Sequence, residues 1–174
     1  MKKTMLLFTM VAMMAGCNNE KKDDGNKKET TMSSTESKQE RNKKVIAASM
    51  DAFAKRDIDA MVKDAVPGYT DYGDETTPPS SNIDSCKAFI KMLVNSIADY
   101  KASNVQLVAD GDYVFLYADW TGIFKNDLMG FKATGKPLKY KDCDIFKFND
   151  DGKITEHHSI QNMGALFTAS AMMK

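Results

Sequence analysis

The stretch DIFKFNDDGKITEHHSIQN, Asp144 to Asn162, concentrates side chains that can exchange protons near neutral pH. It sets Asp144 before a glycine-bearing turn and His157-His158, the chain's 2 histidines, after it. Strand residues alternate between faces, so Asp144, Phe146 and Phe148 share one side, as do Ile154, Glu156, His158 and Ile160 on the return. The segment NDDG suits a type I turn with Gly152 left-handed in a bulge, pairing Asn149 with Lys153. Counting outward then opposes Phe148 to Ile154, Phe146 to Glu156, and Asp144 to His158. Directly opposed residues hold their Cβ atoms about 4.5–5.5 Å apart, which lets a carboxylate and an imidazole touch. The same count turns His157 to the other face. Apolar surroundings raise a lone carboxyl's pKa and lower an imidazole's, whereas pairing restores both charges. That competition can poise an acid or base near neutrality. A purely structural hydrogen-bonded pair is the other reading. A zinc site from Glu156, His157 and His158 is disfavoured, because adjacent strand residues point apart.

The elements that must carry this pair are legible upstream. Ile46, Met50, Phe53 and Ala54 recur at helical spacing, as do Ile58, Met61, Val62 and Ala65, with Asp57 as N-cap between them. Pro67-Gly68 ends the second helix, and YTDYG reads as a short strand followed by a loop. Cys86, Phe89, Ile90, Leu93 and Ile97 mark a third amphipathic helix, entered through Ser81 or Asn82. The period then changes: NVQLVADGDYVFLYADWTGIF reads as strand, Asp-Gly turn, strand, and LKYKDCDIFKFNDDGKITEHHSI as a second hairpin. GALFTASAMMK reads as a short terminal helix. This order implies an α+β fold, with three N-terminal helices packed on one face of a strongly curved, mainly antiparallel sheet.

From Trp120 onward the residues carry a resemblance. Gly122, Gly130, Thr134-Gly135-Lys136, Asp144-Ile145-Phe146, Phe148, and Gly152-Lys153-Ile154 with Glu156 resemble the SnoaL-like polyketide cyclase family of the nuclear transport factor 2-like superfamily. The resemblance implies a conical, deeply pocketed and often dimeric fold, shared by cyclases, isomerases and proteins without known activity. Fold alone therefore does not decide the chemistry. If the face of the last hairpin that carries Asp144 and His158 is the concave one, Phe146, Phe148, Glu156 and Ile160 line that pocket around them, with Trp120 available as a further pocket aromatic. The resemblance also brings Asp71, in YTDYG, to the pocket mouth. In the similar ketosteroid isomerases one carboxylate abstracts a proton while a second, protonated, donates to the enolate oxygen. Asp71 and Asp144 match those places, but Ser49 falls where those enzymes carry a tyrosine donor. The cyclase pattern departs at Ile123-Phe124, Ser159 and Asn162, where the family often has a histidine or a carboxylate. A serine hydroxyl and an amide cannot replace those groups near neutral pH.

The ends of the chain bear on location. MKKTMLLFTMVAMMAGC has a basic start and an apolar run of about ten residues, too short to span a bilayer. Met14-Ala15-Gly16-Cys17 resembles the lipobox of bacterial lipoproteins, which implies a signal peptide over 1–16 and acylation of Cys17. Asn18 after the cysteine favours the outer membrane of the cell envelope by the same resemblance. NNEKKDDGNKKETTMSSTESKQ cannot bury enough apolar surface to fold, so 17–39 reads as the lipidated cysteine and a solvated tether. Residues 40–174 are one domain's worth. With 24 Lys+Arg against 24 Asp+Glu there is no basic excess for nucleic acid. No glycine-rich phosphate loop, nucleophile elbow or paired-cysteine metal pattern calls for a cofactor. Cys86 and Cys143 read as packed free thiols. Three functions fit: a protein that encloses a small apolar ligand with weak or no catalysis, a cyclase or isomerase using an Asp–His pair, or a homodimeric interaction module.

Overall fold

A computed structural model describes residues 26–172. Helices α1 (Asn26–Ala54) and α2 (Ile58–Val62) precede strand β1 (Ala65–Gly73), and α3 (Ile83–Ser96) follows it. Strands β2 (Ile97–Asp110), β3 (Tyr113–Phe124), β4 (Pro137–Phe148) and β5 (Ile154–Ser159) come next, and α4 (Met163–Met172) closes the chain. The sheet order is β1-β5-β4-β3-β2, antiparallel except for the parallel β1–β5 pair. The expected α+β architecture is present, with α4 as a helix beyond the N-terminal three. The lipobox, Cys17 and the start of the expected tether lie outside the described residues. No described helix is long and apolar enough to cross a membrane.

Several boundaries differ from expectation; Ile97, expected in the third helix, begins β2, which was expected from Asn104. Residues 26–39, expected as tether, continue α1. Lys, Glu and Gln, which lose little side-chain freedom in a helix, are interspersed there with Ser, Thr and Asn, so the extension rests on the helix it continues rather than on propensity. Lys38 anchors this end through Asp112 at 2.6 Å and Asp150 at 2.8 Å. The second helix stops at Val62, and Pro67-Gly68 falls inside β1, an edge strand where a missing amide is tolerated.

The core lies between the helices and the concave face. Along β3 the buried residues are Val114, Leu116, Ala118, Trp120, Gly122 and Phe124, the strict alternation of a half-covered strand. Ile46 and Phe53 of α1 and Ile90 of α3 meet them. Strand β2 bends through two irregularities, with Asp99 and Asn104 at φ 51° and 52°. Gly122 makes the first bend possible. A Cβ there would sit 2.3 Å from Ile97 Cγ2 and 3.1 Å from the Ala98 carbonyl oxygen. Ile97 is fully buried and cannot yield. Gly122→Ala is therefore expected to cost about 1–3 kcal/mol by overpacking, read as a lower urea midpoint.

The β4–β5 hairpin closes as its sequence implies. Gly152 has φ 75°, and Asn149 N–H donates to the Lys153 carbonyl at 2.9 Å. Phe148 opposes Ile154. A second bulge then intervenes. Lys147 opposes Glu156, so Thr155 is the extra residue, and its hydroxyl donates to the Lys147 carbonyl at 3.2 Å. Every later pair slips by one: Phe146 opposes His157, Ile145 opposes His158, and Asp144 opposes Ser159. The expected pairs Phe146–Glu156 and Asp144–His158 are thereby overturned. A one-residue slip exchanges the faces of a strand.

Candidate active site

The concave face and the helices enclose a cavity of about 580 Å³. Phe53, Met61, Ile90, Leu93, Leu116 and Trp120 supply apolar walls, and Asp71, Asp142, Asp144 and His157 form its acid–base part. Tyr69, Tyr100, Tyr140 and Cys86 also line it.

His157 organises the polar end. Strand β5 lies between β1 and β4, so an inward side chain on it can reach carboxylates from both neighbours. His157 pairs with Asp71 across the parallel ladder, and its Nδ1 lies 2.9 Å from Asp71 Oδ1. Its Nε2 lies 3.1 Å from Asp144 Oδ1. Carboxylates only accept, so both ring nitrogens donate and the ring is an imidazolium. Phe146 packs against it, with ring centres 4.9 Å apart. Burial pushes the imidazole down, but the bonds and charges of Asp144 and Asp71 outweigh it, and His157 is pushed up to about 10. Burial pushes the Asp71 carboxyl up; the His157 bond and charge, with the Gly73 N–H at 2.9 Å, win and hold it below its usual value. Burial and the neighbouring Asp144 charge hold Asp142 above the usual carboxylate value. Asp142 is otherwise committed, accepting from Ser159 Oγ at 2.8 Å and from the Gln161 amide at 3.0 Å.

Asp144 is different. Among the described residues, His157 is the only side chain bonded to its carboxylate, and it bonds only one of the two oxygens. The other is available to a molecule in the cavity. Cys86, hydrogen-bonded to Tyr69 and Asp71, is pushed up to about 12 by burial and the Asp71 charge, so it stays a thiol rather than a nucleophile. Cys86 and Cys143 are unbridged.

Of the residues read from the sequence, Asp144, Asp71, Trp120 and Phe146 line the cavity. His158 does not. It points outward, stacked on Tyr72 with ring centres 4.4 Å apart and bonded to Glu75 at 3.2 Å. Glu156 also turns out, to Lys147 at 2.8 Å. Phe148 is packed in the core at 2% exposure, and Ile160 is 68% exposed, so neither lines the cavity. Ser49 lines it, but its hydroxyl donates to the Met61 carbonyl at 2.8 Å. Asn162 caps α4, accepting from the Ala165 amide at 2.6 Å. The sequence reading missed His157, Asp142, Tyr100 and Tyr140 as site residues. Asp142 and Tyr140 share the Asp144 parity on β4, which was a usable signal. Among the described residues, no group of His, Cys, Asp or Glu is arranged to hold a metal ion.

Comparison with known proteins agrees with this architecture. Residues 43–169 match the model of the SnoaL-like polyketide cyclase family. A structure from Jannaschia sp. CCS1, assigned as a SnoaL-like polyketide cyclase, superimposes with TM-score 0.70 at 18% identity, covering 78% of this chain and 95% of that one. A protein from Xanthomonas campestris assigned as a polyketide cyclase gives TM-score 0.68 at 18% identity, covering 76% and 98%. AclR from Streptomyces galilaeus, assigned as a hydroxylase, gives 0.65 at 20% identity, covering 78% and 99%. A search of curated proteins gives no match. At such identities the likeness carries the fold and leaves the activity open. The family match spans most of the chain and the whole cavity-forming domain: this protein belongs to the SnoaL-like polyketide cyclase family.

Proposed function

We propose that the cavity encloses a small, mostly apolar molecule and moves a proton on it, with Asp144 as the base. The observation that carries this reading is His157, held between Asp71 and Asp144 at the cavity wall. With one imidazolium and two carboxylates the trio bears a single negative charge. When Asp144 takes a proton from a substrate carbon, the C–H bond breaks, an O–H bond forms, and the electron pair stays on the substrate. The trio becomes neutral as the substrate becomes an anion. His157 and Asp71 are positioning residues here, fixing the carboxylate that reacts. The neighbours assigned as polyketide cyclases support a substrate acidified by a nearby carbonyl.

The test is deuterium uptake. Cyclic ketones and esters are incubated with the protein in D2O and followed by NMR for loss of the proton next to the carbonyl. Exchange above the buffer rate is expected. Ligand binding without any exchange overturns the catalytic reading and leaves a non-catalytic binding protein. That second reading draws on Ser159 and Asn162, which stand at places where the family often carries acids and are spent on structural bonds.

For location, we propose that Cys17 is acylated and tethers the domain to the outer membrane of a bacterial envelope. The lipobox-like Met14-Ala15-Gly16-Cys17 supports this. Cys17→Ala is expected to abolish palmitate incorporation and shift the protein from the membrane to the soluble fraction. Equal partitioning of both forms would refute the anchor.

A further inference from the structure

Two tyrosines on the cavity wall carry an inference that rests on the proposed reading and extends it. Tyr100 is at the bend of β2 and Tyr140 on β4, and both line the cavity. Their hydroxyls are hydrogen-bonded to each other. Two hydroxyls hold two protons, and the bond between them uses one. The second proton has no acceptor among the described residues, since neither hydroxyl has another protein partner. A buried donor left over in this way needs an acceptor. Burial, with the charges of Asp142 and Asp144, raises both phenols far above their ordinary value, so the pair remains a donor and does not ionise.

Packing fixes the pair. Trp120 stacks on Tyr100 with ring centres 5.1 Å apart, and Phe53 meets Tyr100 edge-on at 5.6 Å. Arg56 also donates to the Tyr100 backbone carbonyl at 2.5 Å, tying the bend of β2 to the end of α1. The donor is thus preorganised in an aromatic wall. Ser49 occupies the place where the related isomerases carry a tyrosine, and here the hydroxyls come from the sheet instead.

We infer that the Tyr100–Tyr140 pair binds an acceptor oxygen of the cavity's ligand, and that the ligand is a neutral carbonyl compound. Neutrality follows from the surroundings. Asp71, Asp142 and Asp144 face the same space with one imidazolium among them, so a carboxylate ligand meets net repulsion. Size follows from the strand. Tyr140, Asp142 and Asp144 succeed one another on one face, which sets the Tyr140 and Asp144 Cα atoms about 13 Å apart along β4. A skeleton of two or more fused rings spans that interval in part, and a single small ring reaches only one end.

The experiment compares one bicyclic skeleton as ketone, hydrocarbon and carboxylate, titrated by calorimetry and by fluorescence of Trp120, the single tryptophan of the chain. Wild type is expected to bind the ketone about tenfold tighter than the hydrocarbon, the yield of one net hydrogen bond. The carboxylate is expected to bind no better than the hydrocarbon. In Tyr100→Phe/Tyr140→Phe the ketone preference is expected to vanish while hydrocarbon affinity stays. A second measurement needs no variant: a 13C-labelled ketone carbonyl bound to wild type should stretch at lower frequency than in an alkane solvent. A ketone preference that survives in the double variant, the absence of preference in wild type, or an unshifted carbonyl overturns the inference. Each readout is binding or spectroscopy, so it fails separately from the deuterium test, and exchange can persist while the tyrosine assignment falls.

Discussion

Asp144→Asn is expected to lower the rate of proton exchange on a bound ketone by about 10²–10⁴-fold, the usual contribution of a positioned general base. The amide has nearly the same shape and can still accept the His157 Nε2–H through its oxygen, so the cavity keeps its form. What disappears is the basic oxygen facing the ligand, because an amide nitrogen's lone pair is delocalised into its carbonyl and does not take up the proton. Affinity for the ketone should change by less than tenfold, since Asp144 makes no contact that an apolar wall and the tyrosines do not outnumber. The effect therefore falls on turnover and leaves binding nearly unchanged. Asp71→Asn tests which carboxylate reacts. Asp71 is bonded by His157, the Gly73 amide and the Cys86 thiol, so it is spent on holding the ring. Its loss should cost less in rate than that of Asp144. Equal losses, or a larger loss at Asp71, would reverse the assignment of the base.

The sequence carried the architecture well and the site only by half, for a physical reason visible at Thr155. Alternation in VFLYADW and helical spacing around Ile46 and Phe53 are local patterns, and they placed the strands, the helices and the concave face. Gly152 fixed the turn because only a left-handed residue closes it. ITEHHS, however, alternates equally well in either phase. Its phase is set by a bulge whose stabilisation comes from the Thr155 hydroxyl on the Lys147 carbonyl and from parallel pairing with β1, distant in sequence. A count that omits that bulge selects His158, and the structure selects His157. Asp144 and Asp71 survive because they lie on strands whose phase does not depend on the bulge. The helical extension of α1 was missed for a related reason. Low apolar content argues against independent folding, but a helix already nucleated by Ile46 and Phe53 adds residues without repeating the cost of nucleation.

His157→Gln should shift the pH at which the protein loses stability, and the direction follows from the charges. In the wild type, His157 is raised from 6.5 to about 10. A raised imidazole stabilises the fold fully below 6.5, and the contribution drains away as pH climbs from 6.5 to about 10. Asp71 is lowered from 3.8, so its contribution is present above that value and fails as pH drops through its folded value. The trio thus stabilises most between about pH 4 and 6.5. A glutamine carries both its N–H donors on one nitrogen, so it does not reproduce the two opposed ring donors, and it supplies no charge. Burial, the largest influence on Asp71, is then opposed only by the Gly73 amide and the Cys86 thiol, so the carboxyl rises and its contribution reverses: present below 3.8 and lost as pH increases from there. Thermal melts of the variant should therefore decline between about pH 4 and 6.5, where the wild type is level, and should lack the wild-type decline above 6.5. At pH 7 the loss should sit near the lower end of the about 3–5 kcal/mol typical of breaking a buried ion pair, because the trio keeps some contact with solvent. Side-chain exposures of 16–19% across the three residues set that discount. Parallel melting curves for the two proteins from pH 4 to 10 would show that His157 is not the charge that binds these strands, and would remove the base from Asp144 along with it.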